Sequence, residues 1–366
     1  MTAATAVAAL LDEGLERGFF AGAAALVAAP EGILAEQYRG AARLEPALER
    51  REAAADTLWD LASLTKPLAG AASILALADA RQISLDDPAS RFSDALRKSR
   101  FEGVTLRRLM AHQAGLSPWF PCYVRGEGRA AYRRTLADVD PAGPPGRAVA
   151  YSCLGYLILS DVVELVADQA LDTFFRARFS GPLGLSADLL FSPEGADRAR
   201  AAGGETDDAT EGRMTADLGL AYAGFRSGVV NGEVNDGNAY RRGGGVALNA
   251  GLFGTARAVA AAGLAWLVRD ARLLAESSIA GAVANATAGR EEDRGLGWQL
   301  ASTKGGAGEG LPASSFGHTG FTGCSLFVDV ERGRVYVLVS NRLHPIARAV
   351  DMNAFRRRFH ALAAAL

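Results

Sequence analysis

The sequence has few cysteines, few histidines and almost no net charge, and these shortages exclude several classes of protein. Its three cysteines, Cys122, Cys153 and Cys324, are too few and too widely spaced for a disulfide framework or a thiolate zinc site. The four histidines lack the i, i+4 spacing of metal ligands on one helix. A net charge of −2 offers no electrostatic attraction for nucleic acid or for an anionic membrane. We therefore expect no metal site and no nucleic-acid partner.

Long apolar runs are also missing, since no stretch reaches the roughly 18 residues that a membrane-spanning helix requires. The apolar N-terminal stretch is broken by Asp12 and Glu13, and no basic residue precedes Arg17. It predicts an amphipathic helix over residues 4–17 and not a secretory signal. For a chain that is complete as given, these absences predict a cytoplasmic protein without a membrane span.

Strand-like segments lie at both ends of the chain, with helical patterns between them. Ala21–Ala29 and Ile33–Gly40 predict two strands joined by a tight turn, and Ser325–Val330 and Val335–Ser340 predict a second pair. Helical patterns dominate residues 61–286. The simplest packing is one antiparallel sheet built from both ends, with a helical domain inserted between its halves.

These patterns predict an α+β fold, an α/β sandwich with an antiparallel sheet plus an inserted all-helical domain. We assign residues 1–60 and 287–366 to the α/β domain and residues 61–286 to the helical domain, with the active site at their interface. Within the insertion, Gly203–Gly254 is rich in Gly, Asp and Asn and predicts long loops. Pro345–Leu366 predicts a closing helix.

A candidate nucleophile lies where residues 59–67 lead into a long apolar helix predicted over Leu64–Ala80. Ser63 and Lys66 are three residues apart and would share one helix face. A serine hydroxyl is a poor nucleophile until a base takes its proton. A lysine can act as that base only when burial or a nearby positive charge lowers its pKa, and a buried helix N-terminus supplies both effects.

The alternative is that Ser63 caps a helix and Lys66 lies on the surface, because Ser-x-x-Lys is a weak motif by itself. The scarcity of lysine argues for the catalytic reading. The only other lysines are Lys98 and Lys304, and neither has a serine three residues earlier.

Two further segments strengthen the catalytic reading. β-Lactamases and penicillin-binding proteins combine Ser-x-x-Lys with a second polar element and a Lys-Thr-Gly element. Here Tyr151-Ser152-Cys153 precedes a predicted helix and resembles the Tyr-x-Asn element of class C β-lactamases and related esterases. His318-Thr319-Gly320 precedes a strand and resembles the Lys-Thr-Gly element in a His-Thr-Gly variant. The three elements occur in the family's order, and the chain resembles that family over nearly its whole length.

The resemblance implies the β-lactamase/penicillin-binding-protein transpeptidase-like fold and a serine hydrolase mechanism. Ser63 would attack an acyl carbonyl, while Lys66 and the Tyr151 phenol would transfer protons. The backbone N–H groups of Ser63 and Phe321 would form the oxyanion hole. No metal or organic cofactor is required.

The resemblance also implies that four residues bind substrate: His318, Thr319, Gly320 and Cys153. Considered alone, Tyr151 would be interpreted as an aromatic residue that packs at the start of a helix. The His318 segment, considered alone, would be interpreted as a glycine-rich turn. His112 is treated as structural, because a single histidine in a helical stretch is commonly a buried core residue.

Two positions depart from the family pattern. Position 153 is Cys where relatives usually carry Asn, whose amide helps to hold the substrate and the lysine. A thiol cannot form the same hydrogen bonds, so Cys153 argues against a prediction of β-lactamase activity. Residues 234–239 resemble a loop that often carries histidine, and here Asn235 stands in that loop.

The predicted function is hydrolysis of a small ester or amide through a Ser63 acyl-enzyme, in a cytoplasmic esterase or amidase. One alternative is a D-amino-acid peptidase, carboxypeptidase or β-lactamase, against which the missing signal peptide argues. The other is a catalytically weak or inactive binding protein of the same fold, which Cys153 would favour. The expected partner is a small ester, amide or peptide substrate, with no nucleic acid and no membrane; the sequence fixes no oligomeric state.

Overall fold

A computed structural model describes residues 3–44, 46 and 48–366 of the chain. The strands are β1 (Gly22–Ala29), β2 (Gly32–Arg43), β3 (Arg51–Glu52), β4 (Trp59–Asp60), β5 (Leu189–Phe191), β6 (Gly203–Thr206), β7 (Val229–Asn231), β8 (Leu252–Gly254), β9 (Gln299–Leu300), β10 (Phe316–Thr319), β11 (Ser325–Asp329) and β12 (Arg334–Ser340). The α-helices are α1 (Ala3–Glu16), α2 (Ala72–Asp79), α3 (Leu106–Met110), α4 (Gly128–Asp138), α5 (Cys153–Ala167), α6 (Leu171–Phe175), α7 (Gly195–Arg200), α8 (Ala209–Asp217), α9 (Gly237–Gly243), α10 (Ala256–Leu267), α11 (Glu276–Val283) and α12 (Met352–Ala363).

The main sheet has seven strands in the order β3-β2-β1-β12-β11-β10-β9. Its neighbouring strands pair antiparallel, and the pairing of β1 with β12 joins the two ends of the chain at the centre. Both central strands are buried along nearly their whole length, which explains why their sequences are continuous apolar runs. The predicted α+β fold with one antiparallel sheet is confirmed.

Helices cover both faces of this sheet. On one face, α1 and α12 pack together and bury a core that includes Leu10, Phe20, Phe355 and Phe359. On the other face, α10 lies against β1, β11 and β12. Gly263 allows this close approach, because a Cβ atom there would lie only 2.8 Å from Cγ1 of Val335. The remaining helices build the part of the molecule that carries Ser63.

Several predicted boundaries differ from the structure. Residues 203–254 were expected to form long loops, but they contain β6, β7, β8, α8 and α9. The closing helix begins at Met352 and not at Pro345, because the carboxylate of Asp351 accepts the Ala354 N–H at 2.9 Å and caps the helix there. The helix α10 packs on the sheet although it lies inside residues 61–286, the predicted helical domain. The boundaries of this domain at residues 60/61 and 286/287 stay a prediction.

No helix in the described ranges is both long enough and apolar enough to cross a membrane. The predicted cytoplasmic location stays a prediction.

Candidate active site

Ser63 is presented on a strained turn between β4 and a helical segment. A 3₁₀ turn at Ala62–Leu64 is followed by π-helical residues Lys66–Ala71 and then by α2, so the predicted helix starts irregularly. Ala62 has a φ of 46°, a left-handed conformation that alanine rarely adopts. Its N–H donates to the Asp60 carboxylate at 2.8 Å, which helps to hold the turn. Backbone strain of this kind is often concentrated at functional sites.

Lys66 lies beneath Ser63 and is fully buried. Its Nζ donates to Oγ of Ser63 at 2.9 Å and to the backbone carbonyl of Asn249 at 2.8 Å. Sγ of Cys153 lies 3.4 Å from the same nitrogen. The lysine amine is therefore fixed within proton-transfer distance of the serine hydroxyl.

Tyr151 and Cys153 also lie beside this amine. Tyr151 stands two residues before α5, and Cys153 is the first residue of that helix. The centroid of the Tyr151 ring is 5.0 Å from Nζ of Lys66. The structure thus brings Ser63, Lys66, Tyr151 and Cys153 together from two segments of the chain.

The ionisation states of these groups depend on one another. Burial lowers the pKa of the Lys66 ammonium, but the negative charges that Cys153 and Tyr151 would carry act more strongly, and the net pKa lies above the usual value for lysine. Burial raises the pKa of the Tyr151 phenol, although the Lys66 charge opposes this effect. Burial likewise raises the pKa of the Cys153 thiol. The expected lowering of the Lys66 pKa is therefore not found.

The backbone N–H groups of Ser63 and Phe321 are the two predicted oxyanion-hole donors. Neither the Ser63 nor the Phe321 backbone N–H donates to any group in the described part of the chain. Thr322 anchors the segment of Phe321, because its hydroxyl donates to the Asp60 carbonyl at 2.7 Å. Gly320 allows this segment to approach the serine turn, since a Cβ atom there would lie 2.6 Å from the Leu61 carbonyl oxygen. Both N–H groups remain available to a ligand.

Two cavities meet at Ser63 and Tyr151. The first has a volume of about 240 Å³ and is mostly apolar. Its apolar wall consists of Ala62, Pro118, Trp119, Met214, Ala250, Phe321 and Leu343. The second, an open groove of about 440 Å³, is lined by Arg342 and Arg356 and by one acidic residue, Asp351. A substrate bound at Ser63 would therefore extend to an apolar side and to a basic side.

The predicted substrate-binding residues do not all line the same cavity. Cys153 lines the apolar cavity, and Thr319 and Gly320 line the basic groove. His318 lines neither cavity and is only 3% exposed. Its ring lies behind Tyr151, with centroids 5.8 Å apart. A role for His318 in touching substrate stays a prediction that this position does not favour.

Two residues that position the site were not identified from the sequence. The Asn249 carbonyl fixes Lys66, but a backbone acceptor leaves no side-chain signal in a sequence. Asp60 joins three segments, since its carboxylate also accepts the backbone N–H of Asn235 at 2.8 Å. Asn235, which lies in the loop that resembles one of the family, therefore helps to hold the serine turn through Asp60.

No group of three or more His, Cys, Asp or Glu side chains arranged to hold a metal ion occurs across residues 3–44, 46 and 48–366.

Comparison with known proteins gives one family. The sequence profile of the Beta-lactamase family matches residues 7–361. A protein of Escherichia coli strain K12 named "Putative D-alanyl-D-alanine carboxypeptidase" is 27% identical over 338 residues, which cover 86% of this chain and 75% of that protein. Esterase EstB of Burkholderia gladioli is 31% identical over 199 residues, a match that spans 48% of this chain and about half (49%) of the esterase.

Solved structures show the same fold. EstCE1, described as a hydrolase with promiscuous acyltransferase activity, superposes with a TM-score of 0.75 at 18% identity, covering 99% of this chain and 98% of its own. A penicillin-binding protein homologue from Caulobacter crescentus gives a TM-score of 0.75 at 23% identity, covering 100% and 98% of the two chains. At these identities the likeness establishes the fold alone.

Proposed function

The chain belongs to the beta-lactamase family of serine hydrolases, and from this premise we propose that it hydrolyses small esters or amides through an acyl-enzyme on Ser63. The observation that carries the proposal is the 2.9 Å contact between Nζ of Lys66 and Oγ of Ser63. The amine is buried, whereas the hydroxyl faces both cavities. This is the arrangement that an activated serine nucleophile requires.

The proposed reaction has two halves. Oγ of Ser63 bonds to the acyl carbonyl carbon, and its proton passes to the Lys66–Tyr151 pair. The N–H groups of Ser63 and Phe321 hold the oxyanion, and removing one such donor typically costs a factor of about 10²–10³ in rate. The carbon–leaving-group bond then breaks, and the leaving alcohol or amine takes the stored proton. A water molecule then attacks the acyl carbon and gives a proton to the same pair. The bond between that carbon and Oγ of Ser63 breaks, the carboxylic acid leaves, and the pair returns the proton to Oγ.

The apolar cavity favours an ester with an apolar acyl group as substrate. Its wall offers Trp119, Met214 and Leu343 to such a group. Cys153 stands where an amide side chain would hold a substrate amide, and a thiol is a much weaker hydrogen-bonding group. We therefore propose esterase activity above amidase activity. The esterase named among the relatives supports this choice.

A substrate panel tests the proposal. We expect measurable kcat/KM for p-nitrophenyl esters of two to six acyl carbons, and much lower values for a D-alanyl-D-alanine dipeptide and for a penicillin. Turnover of the dipeptide above that of the esters would favour a peptidase. Absence of turnover and of fluorophosphonate labelling would favour an inactive binding protein and would contradict the proposal.

The basic groove supports a second candidate, a peptidase that releases a residue with a free carboxylate. Arg342 donates to the Phe321 carbonyl at 3.0 Å, and Arg356 donates to the Gly320 carbonyl at 2.7 Å. Neither guanidinium forms an ion pair with a carboxylate of the described residues. A carboxylate on the leaving group would supply that missing charge. The carboxypeptidase name carried by one relative points the same way.

The Cys153→Asn substitution is expected to increase the rate of acylation by a fluorescent penicillin roughly 10-fold, because the amide adds a hydrogen bond to the substrate amide. Hydrolysis of p-nitrophenyl acetate should change much less, since an ester has no amide N–H to hold. The measurement is the rate of gel fluorescence gain, and Cys153→Ala is the control that removes the thiol without adding an amide. Equal rates for the Asn and Ala variants would show that position 153 does not limit amide substrates.

The pH dependence follows from the raised pKa of Lys66. A raised pKa leaves only a small fraction of neutral amine at neutral pH, and that fraction grows as the pH increases. We expect kcat/KM for a neutral ester to rise with pH, by about 10-fold per unit between pH 7 and 9. The check is a stopped-flow profile corrected for spontaneous hydrolysis. A profile that is flat over this range would mean that the proton acceptor is already in its basic form.

A further inference from the structure

Arg294 lies against the Tyr151 ring but is part of neither cavity wall. Its guanidinium carbon is 5.1 Å from the centroid of the ring. The residue is 5% exposed and belongs to the loop between α11 and β9. A buried cation at this distance interacts with the aromatic face and with any charge on the phenol oxygen.

The loop holds this guanidinium in one place. The Glu292 carboxylate accepts from Nε of Arg294 at 2.7 Å and lies 2.6 Å from Nη2. The backbone N–H of Arg294 donates to the Thr287 hydroxyl at 2.8 Å. The remaining nitrogen, Nη1, is buried and has no partner among the described residues. The positive charge is thus fixed in position before any substrate arrives.

Several titratable groups lie around Tyr151. The side that faces Ser63 carries Lys66 and Cys153, and the ring of Tyr156 lies near the same amine. On the other side the rings of His112 and His318 have centroids 4.5 and 5.8 Å from that of Tyr151. Arg294 lies against the ring itself, and the Asp236 carboxylate lines the apolar cavity with Tyr151 and acts on Lys66 and Cys153.

The two histidines are held in their neutral forms. Burial, and after it the positive charges of Arg294 and Lys66, lower the pKa of both His112 and His318. Nδ1 of His112 accepts the Ser152 N–H at 3.0 Å, so the neutral ring carries its proton on Nε2. Nδ1 of His318 lies 2.8 Å from the Thr319 carbonyl and must donate to it, which leaves a lone pair on Nε2.

That lone pair is a competing proton acceptor. Nε2 of His318 is buried and has no partner among the described residues. Without a positive charge beside it, the ring would gain basicity and would compete with the Lys66–Tyr151 pair for the proton released by Ser63. Arg294 opposes this protonation, together with burial and the charge of Lys66.

We propose that Arg294 is a positioning residue for the reaction: its fixed guanidinium holds the Tyr151 ring toward Ser63 and supplies a permanent positive charge beside it. The charge favours the deprotonated phenol and keeps the neighbouring imidazoles uncharged. This inference rests on the proposed function, because it assigns Arg294 a task in the same proton transfer.

The test compares Arg294→Gln, which removes the charge, with Arg294→Lys, which keeps it. Removing a positive charge makes the acceptor pair bind its proton more tightly. The rising pH profile of kcat/KM for p-nitrophenyl acetate should therefore move to higher pH by about one unit in Arg294→Gln, a loss of about 10-fold at each pH below the plateau. Arg294→Lys should keep the parent profile. Arg290→Gln, an exposed arginine of the same loop, serves as the matched control.

A variant whose pH profile is expected to move in the opposite direction keeps the inference testable if Arg294→Gln fails to fold. Glu292→Gln removes the negative charge that partly offsets the guanidinium, so its profile should move to lower pH. A folded Arg294→Gln protein with the parent profile, or a Glu292→Gln profile that moves to higher pH, overturns the inference.

Fluorophosphonate labelling of the same samples separates the two proposals. Labelled Arg294→Gln protein with an unmoved pH profile refutes the role of Arg294 and leaves the proposed function intact. A parent protein that takes up no label refutes both.

Discussion

Replacing Ser63 with alanine is expected to lower kcat for p-nitrophenyl ester hydrolysis by at least about 10⁴-fold, because the variant lacks the atom that forms the acyl-enzyme. The cavities should persist, since the Ser63 side chain is part of their lining and not of the buried core. Initial rates at saturating ester measure the effect, with circular dichroism as the check on folding.

The matched control is Ser73→Ala. Ser73 lies on α2, in the helical segment that Ser63 introduces, and its buried hydroxyl has no partner among the described residues. Its removal should leave turnover unchanged. If Ser63→Ala kept more than about a tenth of the parent rate, another nucleophile would have to be sought.

Replacing Lys66 with methionine is expected to lower kcat/KM by about 10³-fold or more, since general-base assistance typically contributes about 10²–10⁴. Methionine matches the length of the buried stem but cannot accept a proton. Lys66→Arg should fail to a similar degree, because arginine keeps the charge but does not release its proton. Lys304→Met, at an exposed lysine, is the control.

The arginine variant decides what Lys66 contributes. Near-parent activity in Lys66→Arg would mean that a fixed positive charge at this position is sufficient and that the proton goes elsewhere. Loss of activity in both variants would identify the amine as a proton carrier.

The sequence predicted the fold because the main elements are encoded locally. The apolar runs that became β1 and β12 are long, buried and bounded by turn residues, so their type and their place in one antiparallel sheet could be inferred. The Gly203–Gly254 interpretation was wrong because its strands are only three or four residues long and derive their order from distant contacts. Elements this short carry almost no periodic signal.

The site was predicted in part for the same reason. Ser63 and Lys66 are neighbours on one turn, and spacing alone places them on a common face. Lys66 and Asn249, whose carbonyl it contacts, are 183 residues apart in the sequence, and no pattern in either segment predicts this contact. The sign of the Lys66 pKa shift was missed because it depends on Cys153 and Tyr151, which arrive from another segment. Arg294 approaches Tyr151 through tertiary structure alone.

The nucleophile can be identified directly by mass spectrometry after reaction with a fluorophosphonate. The intact protein should gain the mass of one adduct, and peptide mapping should place that adduct on Ser63, with no adduct in Ser63→Ala. An adduct on any other residue, or labelling that survives Ser63→Ala, would contradict the assignment of Ser63 as the serine that Lys66 activates.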